Sequence, residues 1–137
     1  MPCNAIVMRV AGVSLTGIYT TEAGVNQLIA LLEQEMNAKT ITPASMFMDL
    51  MNDNGRAFLQ FPNLGAFFIF QDGTIRFPAM IEGDWQRIEK ITAAIKALAG
   101  KFEQARLAAL LMAAMKGKGK LTAGPNGSFI LKGELAP

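Results

Sequence analysis

Residues 56–80 constrain this chain more than any other stretch. They read RAFLQF-PNLG-AFFIF-QDGT-IRFPAM and hold Phe58, Phe61, Phe67, Phe68, Phe70 and Phe77, six of the nine phenylalanines. Asp72-Gly73 between two apolar runs is a strong hairpin signal, because a tight turn of this kind needs φ > 0 at its central residues. Taken as a two-residue loop, it sets Gln71 opposite Thr74, Phe70 opposite Ile75 and Phe68 opposite Phe77. Side chains alternate along a strand, so Phe68, Phe70, Ile75 and Phe77 are expected to be buried on one face, with Phe67 and Ile69 pointing the other way. A strand apolar on both faces is expected to lie inside a sheet and to be covered on both sides.

The elements around this hairpin follow from periodicity and capping. Ala5–Val13 alternates as an internal strand, with Leu15–Tyr19 able to continue its pairing. Thr20-Thr21-Glu22 opens a helix whose stripe is Val25, Leu28, Ile29, Leu32 and Met36, ending near Ala38. Thr42–Asn54 reads as a helix with Thr42 as cap and Pro43 at its first position; the alternative is a strand over Met46–Met51. Asp84 caps a helix with Trp85, Ile88, Ile91, Ile95 and Leu98 on its buried side. Gly100 is taken as a break, followed by a second helix over 101–116. Residues 116–120 form a flexible basic connector, and Leu121–Ala123 and Ser128–Leu131 form a terminal hairpin about Gly124-Pro125-Asn126-Gly127. The expected fold is a single α+β domain over 1–137. It has a mostly antiparallel sheet with a central Phe-rich hairpin, three to four helices packed on it, and a C-terminal hairpin.

Function is harder to reach. The chain has no histidine, which removes His-based triads, the usual zinc sites and the commonest general base. Cys3 is the one cysteine and has neither a base nor a cluster of positive charge near it in sequence. Asp49/Asp53 and Glu82/Asp84 are the carboxylate pairs at useful spacing, but Asp53 lies in turn chemistry and Asp84 reads as a cap. Gly117-Lys118-Gly119-Lys120-Leu121-Thr122 fails the phosphate-loop pattern, since Leu121 stands where Ser or Thr is required and Ala114 where the first Gly is required. No catalytic residue, metal ligand or cofactor is therefore expected, and an enzyme using carboxylates and a metal is the least favoured reading.

Composition points to contacts instead. Apolar residues make up 51% and charged residues 18%, below the roughly 25% charged of ordinary soluble domains. Such a chain either buries an unusual share of its surface or exposes apolar patches that partners cover. The helix over 101–116 sharpens this, because no polar residue lies between Leu107 and Met115. Leu107, Leu110, Leu111, Met112 and Met115 are the expected interface, in a homo-oligomer, a dimer above all, or with another protein. The alternative partner is nucleic acid. From Arg87 to Lys120 there are eight basic residues against two acids, with Lys116, Lys118 and Lys120 as candidate phosphate contacts. No signal peptide or spanning segment is read, so the expectation is a cytoplasmic protein that does not engage a membrane.

Overall fold

The computed structural model describes residues 7–9, 13–115, 120–123 and 129–132, the first and the last two segments as backbone only. Strand β1 (Val7–Arg9) leads to a one-turn helix α1 (Thr16–Tyr19) and to α2 (Glu22–Met36). Helix α3 (Ala44–Asn54) precedes three consecutive strands, β2 (Arg56–Phe61), β3 (Gly65–Phe70) and β4 (Thr74–Arg76). A 3-10 turn, Ala79–Ile81, leads into α4 (Trp85–Ala114), and β5 (Lys120–Ala123) pairs antiparallel with β6 (Phe129–Lys132). The main sheet is antiparallel throughout in the order β1-β4-β3-β2, and the fold is α+β as expected.

The hairpin is present, but its loop is one residue longer than the sequence suggested. Ile69 pairs with Ile75 and Phe68 with Arg76, which leaves Gln71, Asp72 and Gly73 in the turn. Gly73 sits at φ 88°, its N–H donates to the Phe70 carbonyl at 3.0 Å, and the Asp72 carboxylate accepts from the Thr74 N–H at 2.9 Å. A three-residue loop of this kind places its glycine in the left-handed region, just as the two-residue turn would. Shifting the register by one residue exchanges the faces of a strand. Phe67 and Ile69 are therefore the buried residues of β3, while Phe68 is 40% exposed and Phe70 half-buried. Ile75 and Phe77 are buried as expected.

Ala57, Leu59, Phe61, Phe67, Ile69, Ile75 and Phe77 thus form one wall of the core. Phe67 makes edge-on contacts with Phe61 and Phe77, at ring separations of 5.8 and 5.7 Å. The helices supply the other wall. In α2 the Thr21 hydroxyl caps the first turn by accepting from the Gly24 N–H at 3.0 Å, and Val25, Leu28, Leu32 and Met36 are buried. Asn37, at φ 51°, ends the helix. Residues 44–54 are helical, with Phe47 and Met51 inward. Thr42 is not the cap of this helix; Pro43 takes that place. The Thr42 hydroxyl instead accepts from the Gln60 N–H at 2.9 Å, and Thr40 and Ile41 both donate to the Gln60 carbonyl. The linker before α3 therefore satisfies backbone groups of the edge strand β2.

Four further expectations are corrected. β1 lies at an edge of the sheet rather than inside it. Leu15–Tyr19 does not extend that strand: Thr16–Tyr19 is a helical turn packed on α4, where a Cβ on Gly17 would lie 2.8 Å from the Phe102 carbonyl carbon. Gly100 does not break the last helix, which runs for 30 residues, about 45 Å. Interior glycine costs only about 1 kcal/mol, and the burial of Ile95 and Ala99 just before it, with Phe102 packed against the core just after, holds the helix continuous. Trp85 is 55% exposed and does not share the buried stripe of Ile88, Ile91 and Ile95.

Candidate functional site

Two exposed apolar surfaces stand out, one expected and one not. The first is the far half of α4. Ala108 and Met115 are buried there and Ala105 and Met112 half-buried, which defines one covered side at helical spacing. Leu107, Leu110 and Leu111 lie on the opposite side and are 48%, 55% and 47% exposed. Two helical turns without a polar residue predict cover on all sides. The chain covers one side only. Met115 is closed off by the chain itself and Met112 partly so, which narrows the surface available to a partner to the three leucines. Ala109, Ala113 and Ala114 are exposed around them.

The second surface is the outer face of the sheet, which α3 borders and which no helix among the described residues covers. Arg56, Phe58, Gln60, Ala66, Phe68, Phe70, Thr74 and Arg76 fall on it by alternation, and none of them is buried. Phe58, Phe68 and Arg76 stand in one row across three strands, and Arg56 pairs with Phe70 in the next. The Phe58 and Phe68 rings are 6.3 Å apart and tilted by 48°. With Leu50 and Asn54 of α3, these residues line an open depression of about 740 Å³. No carboxylate lines it, and neither Arg56 nor Arg76 forms an ion pair or side-chain hydrogen bond among the described residues. Sequence reading missed this surface because the register assumed for the hairpin buried Phe68 and Phe70.

The basic region fares differently. Lys116 and Lys118 lie outside the described residues, and Lys120 is described only as a backbone partner of Lys132. On α4, Arg87 is half-buried and donates to the Glu35 carbonyl, and the Lys90 ammonium lies 3.4 Å from the Glu35 carboxylate. Both cations thus bridge α4 to Glu35 of α2, Arg87 half-buried and Lys90 exposed. Arg106 is bound through two hydrogen bonds to Glu103, which hold the Glu103 carboxyl below the usual carboxylate range and raise Arg106. Lys96 and Lys101 are exposed.

The carboxylate pairs make no centre. Asp49 and Asp53 are exposed on α3, and Asp84 accepts from the Arg87 N–H at 3.1 Å as the cap of α4. Among the described residues no group of three potential ligands could hold a metal ion, and no helix is long and apolar enough to cross a membrane. Cys3 lies outside the described residues. Comparison of the chain with protein-family models, with curated proteins and with solved structures finds no match.

Proposed function

We propose that this chain is a non-enzymatic assembly module that associates with a second copy of itself through the exposed side of α4. The observation that carries this reading is the trio Leu107, Leu110 and Leu111, each about half exposed on one side of a helix with no charged residue from Leu107 to Met115. Exposing such residues to water is unfavourable by about 25 cal/mol per Å² of apolar surface, so covering them is a driving force for association. A second copy suits the surface better than an unlike partner, because it offers no charge by which a complementary partner could be selected. Its large and small residues are also interspersed. In an antiparallel pair about a twofold axis, the leucines of one helix can lie over Ala109, Ala113 and Ala114 of the other, and a twofold dimer is the commonest closed assembly.

Light scattering coupled to size exclusion tests this. The parent protein is expected to run as a dimer at about 100 μM, a concentration that populates even micromolar affinities. Leu111→Glu, at an exposed position, is expected to give a folded monomer with unchanged far-ultraviolet circular dichroism. A parent that remains monomeric at that concentration, or a Leu111→Glu protein that still dimerises, would count against the reading.

A further inference from the structure

We propose that the outer face of the sheet binds single-stranded nucleic acid, with bases stacked on Phe58, Phe68 and Phe70 and phosphates held by Arg56 and Arg76. The proposal is independent of self-association, since it uses a different surface. Three observations carry it together. Phe68 is exposed, and Phe58 and Phe70 half-exposed, on a sheet face that no helix among the described residues covers. Two guanidinium groups flank them, one in each row of the register and on opposite outer strands of the three. Among the described residues that line the depression they share, there is no carboxylate.

Neighbouring strands lie about 4.8 Å apart and successive same-face residues about 7 Å apart, so the patch spans roughly 10 Å by 7 Å, the scale of two or three bases. Every base has a π-face that an aromatic ring can stack on, and arginine supplies both phosphate contacts and planar stacking. A duplex presents its bases edge-on within grooves and cannot lay them flat on a sheet. A second copy of the chain is a poor occupant, because twofold pairing would bring four guanidinium groups together with no carboxylate from the lining between them. An acidic peptide would meet the arginines but leave the rings without planar partners.

The test is fluorescence anisotropy with a labelled oligothymidylate and oligouridylate of about 12 nucleotides, at about 50 mM salt and upward. Saturable binding is expected, weaker for the same sequence in a duplex. Phe68→Ala is expected to weaken it roughly 5- to 150-fold, the span set by loss of one base–aromatic stack. Phe68→Leu, which keeps an apolar side chain, is expected to do the same and carries the test should the alanine variant fold poorly. Arg56→Gln with Arg76→Gln is expected to lower the slope of log affinity against log salt by about 1.4, for two phosphate contacts on a single strand. Absence of binding by the parent would overturn the proposal. So would equal affinity for duplex, affinity unmoved by the Phe68 variants, or full displacement by polyglutamate at equal charge. Oligomerisation lost in Phe68→Ala without oligonucleotide binding by the parent would assign the face to a second copy instead.

Discussion

Gly100→Ala is expected to stabilise this protein. Gly100 lies midway along α4, between turns that are packed on both sides of it. A Cβ built on it meets no atom within 4 Å, so alanine fits without displacing anything. Replacing an interior helical glycine by alanine favours the helix by about 0.8–1.0 kcal/mol, mostly because the unfolded chain loses less freedom on folding. For a chain of 137 residues, unfolding entropy near the midpoint is roughly 0.29 kcal/mol per degree, so the midpoint should rise by about 3 °C. Urea denaturation followed by far-ultraviolet circular dichroism reads the free energy directly. It should be run at one fixed protein concentration, because association would shift the apparent stability. A destabilised variant would mean that residue 100 is not helical in solution and that two helices meet there, as the sequence alone suggested.

The register of the hairpin gives a second expectation. Phe67→Ala removes a fully buried ring and should cost about 3–5 kcal/mol, whereas Phe68→Ala on the open face should cost under about 1 kcal/mol in the same denaturant titration. The reverse order would restore the two-residue turn. The third concerns pH. The folded Glu103 carboxyl is lowered by its Arg106 hydrogen bond, so its contribution to stability is complete above the ordinary glutamate range and is lost as pH falls through the folded value. Glu103→Gln should therefore lower the melting temperature at pH 7, by an amount that shrinks as pH falls below the ordinary glutamate range and vanishes below the folded carboxyl's lowered value. A difference that persists unchanged at low pH would mean the pair contributes nothing through charge.

What could be read from the sequence depended on how many independent signals agreed. Helix α2 had a threonine cap, an acid in its first turn and an apolar stripe at the right period, and all three reappear in the structure. The hairpin had one signal, Asp72-Gly73, which both a two-residue and a three-residue loop satisfy with the glycine at positive φ. Alternation could not arbitrate, since Phe67, Phe68, Ile69 and Phe70 are all apolar and either face could have gone inward. The arginines were the missed arbiter. Phe68 pairs with Arg76 and Phe70 with Arg56, so the outer face is the one flanked by exposed charge on both neighbouring strands. The one-turn helix α1 is too short to leave a periodic trace. Its signal is steric instead, in glycines at 17 and 24 where neighbouring backbone approaches too closely for a side chain. The leucine surface of α4 was legible as residues but not as exposure, because a sequence cannot say which side of an all-apolar helix its own fold will cover.

The continuity of α4 has a consequence for how the chain fluctuates. Its first half is fastened by Ile88, Ile91, Ile95 and Ala99 in the core, while beyond Phe102 only Ala108 and Met115 are buried. Amide hydrogens in the fastened half are expected to exchange with solvent mainly when the whole fold opens, and those in the last two turns by local unwinding at a lower free energy. A short helical segment packed on one side only is marginal in water, so these turns are held wound partly by extension from the anchored half. A partner that covered Leu107, Leu110 and Leu111 would bind the wound form alone. Exchange rates along residues 107–114 would then serve as an occupancy gauge, slowing as the surface fills while those of residues 88–99 hold steady.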